Sequence, residues 1–146
     1  MLERFKVPEE DKIYVQSEKV FELTKNILKN IGVSDEGANN SASVLIGNDL
    51  RGVESHGVSN GLRQYLKRYK DGIYNSNPNI KTLRETPTTA KLDGDNAIGT
   101  EIGPIAMNLA IEKAQKYGMG SVSVVNTGHL AGCGHYVLQA AEHDMI

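Results

Sequence analysis

The chain has 146 residues, 39% hydrophobic and 23% charged, which is the composition of an ordinary globular protein and excludes a disordered or fibrous one. The net charge is −2, from 16 basic and 18 acidic residues, and no basic stripe or long apolar run stands out, so neither nucleic acid nor a membrane is an expected partner. A single cysteine, Cys133, rules out an internal disulfide framework and a multi-cysteine zinc site, and the expected setting is a reducing, cytoplasmic one.

Residues 1–16 are charged and mixed, without a clear period. Ser17 is placed to cap a first helix, in which Val20, Phe21, Thr24, Ile27, Leu28 and Ile31 share one face before Gly32 stops it. Ser34-Asp35-Glu36 opens a second helix with Ala38, Ala42, Leu45, Ile46 and Leu50 inward, ending near Gly52. The short Gly32-Val33 connection makes the two antiparallel neighbours. Arg51 to Gly57 is a poor helix. Ser59 is placed to cap a third helix, with Leu62, Tyr65, Leu66 and Tyr69 inward and Gly72 as its end. On that helix the basic cluster Lys67, Arg68 and Lys70 reads as a solvated face over buried tyrosines.

The turn-rich Asn75-Ser76-Asn77-Pro78-Asn79 marks an expected boundary between a helical unit, 1–77, and a second unit, 78–146. Ile80–Arg84 and Thr88–Leu92 read as strands, with Pro87 limiting the second to an edge or a start. Asp93-Gly94-Asp95-Asn96 reads as a turn. A long helix follows through Ile102, Ile105, Ala106, Leu109, Ala110 and Lys113, with Pro104 in its first turn, and Gly118 and Gly120 end it. Ser121 to Val125 is a β-branched strand. A glycine-bearing loop runs from Asn126 to Gly132, and a last helix from Ala131 to about His143, where that histidine suits the helix dipole. The ending Asp144-Met145-Ile146 looks like a turn into a further strand. The chain therefore reads as truncated, with the Ser121–Val125 strand lacking its neighbour.

Two places can carry chemistry. His56, in Ser55-His56-Gly57, sits between small residues in a break between helices. An imidazole titrates near neutrality, so it can donate a proton to a carbonyl oxygen and take it back, with the Ser55 hydroxyl holding the ring or relaying the proton. The alternative is a surface or capping histidine. The second place is Asn126-Thr127-Gly128-His129-Leu130-Ala131-Gly132, which follows a strand and precedes a helix. Free backbone N–H groups there suit an anion, and the glycines allow close approach, although the spacing is neither that of a dinucleotide fingerprint nor that of a P-loop. Asp93, Asp95 and Asn96 fail as a calcium loop, because Ile98 and Pro104 occupy the positions where glycine and glutamate are needed. His129, Cys133 and His135 have no spacing that suggests a metal site, and none is expected.

Three stretches taken in order, Asp49-Leu50-Arg51-Gly52-Val53-Glu54-Ser55-His56-Gly57-Val58, Leu92-Asp93-Gly94-Asp95-Asn96-Ala97-Ile98-Gly99 and Asn126 to Gly132 with Gly134-His135-Tyr136, resemble the malate/L-lactate dehydrogenase family of the non-Rossmann type. The resemblance implies an α/β fold: an amino-terminal helical segment, then the incomplete first part of a non-Rossmann NAD(P)-binding α/β domain. It implies a homodimeric oxidoreductase that interconverts a small 2-hydroxy acid and its 2-oxo acid with NAD or NADP. By the same resemblance, His56 is the proton donor and acceptor, Ser55 a possible relay, and His129 lies at the nicotinamide and substrate. Asn126, Thr127, Gly128, His129 and Gly132 line the cofactor pocket. Where many members carry an arginine for the substrate carboxylate this chain has Asn60, with Arg63 the next candidate. The rival expectation is a truncated, non-catalytic module that dimerises or binds an anion.

Overall fold

A computed structural model describes residues 8–146. Helices α1 (Ser17–Asn30), α2 (Asp35–Leu50) and α3 (Val58–Lys70) come first, then strands β1 (Lys81–Glu85) and β2 (Thr89–Ala97), helix α4 (Gly99–Tyr117), strand β3 (Ser121–Thr127) and helix α5 (Gly134–Ala141). Single 3-10 turns occupy Glu9–Asp11 and Glu54–His56. No helix among the described residues is long and apolar enough to cross a membrane. Residues 1–7 of the expected helical unit lie outside the described residues.

Helix α2 is the hub, touching α1, α3, α4 and α5. Ala38, Ala42, Leu45 and Ile46 form its buried face as the period requires, but Ser41, Val44 and Asn48 are buried as well, so the helix is enclosed nearly all round. Leu50, placed inward by the same period, is 70% exposed because the helix ends there. Ser34 caps α2 as expected: its Oγ accepts the Gly37 N–H at 3.0 Å. Ser17 does not cap α1. It is the first helical residue, and Gln16 stands at the cap without a side-chain bond. Ser59 likewise lies inside α3, whose cap comes from elsewhere in the chain.

The sheet has the order β1-β2-β3, with β1 antiparallel and β3 parallel to the central β2, and α4 as the crossover. Strand Ser121–Val125, expected to lack a neighbour, pairs with β2 along its length; its other edge carries no strand among the described residues. Asp93 to Asn96 is not a turn between elements but an irregular stretch inside β2, with Asp95 and Asn96 at φ 47° and 60°. Asp93 Oδ1 accepts the Asp95 N–H at 3.0 Å, so the local bond that marks a turn here holds a bulge instead. Pairing resumes at Ala97 with Thr127, which lengthens both strands beyond their expected ends.

Helix α4 starts at Gly99, so Pro104 is its sixth residue and not in the first turn; it donates no N–H to the Thr100 carbonyl. Tertiary bonds stand in for the missing local signal: Thr100 Oγ1 meets Ser41 Oγ at 3.0 Å, and the Asn40 side chain donates to the Glu101 carbonyl at 3.2 Å. At the far end of α4 the buried Lys113 joins Glu85 Oε1 at 2.7 Å and donates to the Thr86 carbonyl at 2.9 Å, fixing the β1–β2 turn. Helix α5 begins three residues later than expected, because Ala131 takes φ 57°, which a helix cannot continue through. His143 falls beyond its end.

One apolar cluster joins these parts: Leu28, Val44, Leu45, Leu62, Tyr65 and Tyr74 from the helical stretch, with Ile98, Ala131 and Tyr136 from beyond Asn79. Candidate functional residues stand along its edge.

Candidate functional site

The start of α3 determines where His56 stands. Gly57 is the cap residue and has no side chain to offer, so the carboxylate of Asp49, on the last turn of α2, takes the role: Oδ2 accepts the Val58 N–H at 2.9 Å. Only glycine fits beneath it, since a Cβ at position 57 would lie 1.6 Å from Asp49 Oδ1. Burial pushes the Asp49 carboxyl above its ordinary value, and the Val58 N–H opposes that shift.

One residue earlier, the fully buried Asn48 donates from Nδ2 to the His56 carbonyl at 3.0 Å, while its Oδ1 accepts from Arg51 at 2.7 Å. Gly132 lies against the same carboxamide, at a distance that leaves a Cβ only 2.6 Å from Oδ1. Asn48 thus joins the Ser-His-Gly segment to the loop that follows β3.

Through that junction His56 and His129 meet. Their rings stack at 5.6 Å between centroids and 23° between planes. The Nδ1 of His56 lies 2.9 Å from Ser55 Oγ. The Nδ1 of His129 is 2.9 Å from the Tyr65 hydroxyl and 3.3 Å from the Ala131 backbone nitrogen. A backbone N–H can only donate, so Nδ1 of His129 is an acceptor and the ring proton sits on Nε2. Burial pushes the Tyr65 phenol up to about 12, so it keeps its proton and donates to the same lone pair. Burial first, then the neighbouring His56 and Arg68, hold His129 below the usual imidazole value. His129 is therefore a neutral ring with a fixed N–H. In both histidines Nε2 is the nitrogen with no protein partner among the described residues.

A cavity of about 440 Å³ opens beside His129, between α3 and the carboxyl ends of β2 and β3, where ligands of parallel sheets commonly sit. Tyr65, Arg68, Tyr74, Asn96, Thr127 and Gly128 line it with Gln64, Ile73 and His129. The Tyr74 hydroxyl lies 3.4 Å from the His129 backbone nitrogen, and the guanidinium of Arg68 is 5.7 Å from the centre of the Tyr74 ring.

The malate/L-lactate dehydrogenase family matches residues 15–146 of the chain. The chain belongs to that family. A malate dehydrogenase of Pyrococcus abyssi is 44% identical over 142 residues, spanning 94% of this chain and 38% of that protein. A ureidoglycolate dehydrogenase (NAD(+)) of Escherichia coli K12 is 32% identical over 132 residues, 90% of this chain and 38% of that protein. The solved structure of malate dehydrogenase from Pyrococcus horikoshii OT3 superposes with a TM-score of 0.89 at 39% identity, covering 98% of this chain and 40% of that one. The chain thus spans about 38% of the length of the curated relatives it matches.

All three stretches that carry the family resemblance converge here. Ser55 and His56 stand at one side of the stack, and Thr127, Gly128 and His129 border the cavity. Asn126 turns aside, its carboxamide donating to Asp93 at 3.0 Å, and Gly132 faces Asn48. Asn60 is on the first turn of α3 with its carboxamide held by the Glu54 carbonyl at 3.0 Å, and neither it nor Arg63 borders the cavity. Asp49, Asn48, Tyr65, Tyr74 and Arg68 had no place in the sequence reading of the site. The signals that could have found them are a carboxylate nine residues ahead of a cap-less helix start and tyrosines at the buried edge of a basic helix.

Proposed function

We propose that the chain carries part of the active site of an oxidoreductase that interconverts a small 2-hydroxy acid and its 2-oxo acid with NAD or NADP. The observation that carries this reading is the stacked His56–His129 pair, in which each Nδ1 is engaged and each Nε2 is left for a ligand. The cavity beside His129 suits the flat end of a nicotinamide and a small acid: Tyr65 and Tyr74 give it aromatic lining, and its volume of about 440 Å³ is within the usual small-molecule range. A bound nicotinamide would supply or accept the hydride, and the remaining chemistry falls to the side chains of the chain.

In the reducing direction the carbonyl oxygen of the 2-oxo acid gains a proton as its carbon is reduced. His56 gives that proton from Nε2 and recovers it when the alcohol is oxidised. Because the proton leaves and returns at Nε2, Nδ1 keeps its own proton throughout, and Ser55 Oγ accepts from Nδ1 in both states, orienting the imidazole. His129, neutral and fixed by Tyr65 and Ala131, offers a constant hydrogen bond from Nε2 and moves no proton. Thr127, Gly128 and His129 lie against the cofactor end of the cavity, with Asn126 and Gly132 holding the loop in place. On this reading 1–77 is the helical unit that delivers His56, and 78–146 is the first part of the cofactor domain that delivers His129.

A homodimer belongs to the same proposal. Ile13 and Tyr14 before α1, Leu23 on α1 and Leu50 at the end of α2 are 86%, 87%, 60% and 70% exposed, large apolar side chains that a partner copy would cover. The lone, exposed Cys133 accords with a reducing cytoplasm. The test is absorbance at 340 nm: NADH or NADPH mixed with the chain and a panel of 2-oxo acids. Consumption that needs both chain and acid supports the proposal. A chain that neither binds the dinucleotide nor consumes it favours the non-catalytic alternative.

A further inference from the structure

The cavity beside His129 contains a cation with no established task. Arg68 borders it, is exposed, and forms no ion pair with any carboxylate among the described residues. Its neighbour Lys67 behaves differently, being bound to Asp71 at 2.6 Å on the solvent side. The guanidinium of Arg68 instead lies over the Tyr74 ring, and that same ring touches the His129 loop, so the cation is held on the cavity side of α3 by a cation–π contact. Gln64, Asn96 and Thr127 add polar, uncharged groups to the rim, and no carboxylate lines it. The acidic groups closest in sequence to Asn96 on the rim are turned to other tasks. Asp95 accepts from Asn75 and from the Asn79 N–H, both at 2.9 Å, and Asp93 accepts from Asn126 at 3.0 Å.

A lone guanidinium facing an uncharged polar rim, one histidine away from the proton-transferring ring, is a receptor for a small anion of carboxylate shape. The geometry points to Arg68 as the anchor of the substrate carboxylate, a specificity-determining role taken up by the third turn of α3 and not by Asn60 or Arg63. Asn60 is held by the Glu54 carbonyl and Arg63 does not border the cavity. The Arg68 charge also bears on His129, helping to keep that ring neutral beside a bound anion. This inference rests on the cavity being the substrate site of the proposed oxidoreductase.

The test is a binding measurement that needs no turnover. L-lactate, L-malate and the uncharged L-lactamide are titrated into the 146-residue chain, and the amide signals of Thr127, Gly128 and His129 are followed by NMR. The carboxylates should shift these signals at concentrations at least about tenfold lower than lactamide, since a charge-assisted bidentate pair is lost in the amide. Arg68→Gln should bring that ratio close to one, and Arg68→Lys should restore part of it. A role confined to packing on Tyr74 would not change a ratio between two ligands of the same size. The inference is overturned if no carboxylate shifts the loop signals, if Arg68→Gln leaves the ratio intact, or if Arg63→Gln abolishes it while Arg68→Gln does not. Carboxylate binding that depends on Arg68 without any oxidation of NAD(P)H would sink the dehydrogenase reading and leave the anchor standing. NAD(P)H oxidation with a KM indifferent to Arg68→Gln would do the reverse.

Discussion

Replacing Asp49 with alanine should loosen the start of α3 and, with it, the position of His56. The carboxylate satisfies the Val58 N–H at 2.9 Å, and Gly57 supplies no alternative cap. Losing a cap costs about 0.5–2 kcal/mol, and leaving a half-buried donor unpaired costs about 1–3 kcal/mol, so a total near 1–3 kcal/mol is expected. For a chain of this size that is a fall in Tm of about 3–9 °C. Gly57→Ala should cost a similar amount for a related reason. Gly57 has φ −93° and ψ −167°, an extended conformation open to any residue, so the penalty is steric: the new Cβ would lie 1.6 Å from Asp49 Oδ1 and drive the carboxylate off its donor. In an Asp49→Ala background that clash is gone. Any intrinsic preference of alanine against glycine at a cap appears in both backgrounds and cancels. The double-mutant cycle, read by urea denaturation with circular dichroism, should therefore show a coupling of about 1 kcal/mol or more. Additive losses within about 0.5 kcal/mol would refute the capping account.

Three further outcomes follow from the packing and charge of the fold. Glu101 is 3% exposed, its Oε2 has no partner, and burial followed by the nearby Glu36 pushes its carboxyl up to about 7. The folded chain then keeps a proton that the unfolded chain has released, so stability falls as pH rises from about 4.5 to about 7 and levels off above it, by something of order 3 kcal/mol. Glu101→Gln should flatten that profile in chemical denaturation, and an unchanged slope would show that the carboxyl is ionised when folded. Leu45→Ala, at a fully buried position in the centre of α2, should cost about 2–5 kcal/mol in the same assay. His129 should titrate below the ordinary imidazole value in NMR. Tyr65→Phe should raise it, because the Tyr65 hydroxyl donates to a lone pair that only the neutral ring possesses; a downward shift would contradict the assigned tautomer.

The parts of the fold that could be read from sequence are those where local chemistry and tertiary structure agree. The Leu28, Ala38, Ala42 and Leu45 positions are buried as their spacing demands, and Ser34 caps α2 through a bond that needs only its own neighbours. The misses occur where partners come from afar. Asp49 caps a helix nine residues later, which no cap pattern anticipates. The start of α4 is held by Ser41 and Asn40, so Pro104 lies deeper in that helix than its own preferences suggest. The Asp93–Asn96 stretch has turn chemistry, and a bulge uses the same positive φ angles. Within the site, His56 stood out as an imidazole between small residues in a break between helices, and His129 through the family resemblance of its glycine-bearing loop. Arg68 did not, since a charge on a helix is ordinarily solvated, and only the Tyr74 ring beyond Gly72 brings it to the cavity.

The most direct test concerns the proton. Under the proposed function, NADH oxidation with a 2-oxo acid, once detected, should be compared with that of His56→Gln, alongside NADH binding by fluorescence. Turnover should fall by at least about tenfold, toward the roughly 10²–10⁴-fold range of acid–base assistance, while NADH affinity stays within about twofold. Equal turnover in the two proteins would contradict the assignment of proton transfer to His56.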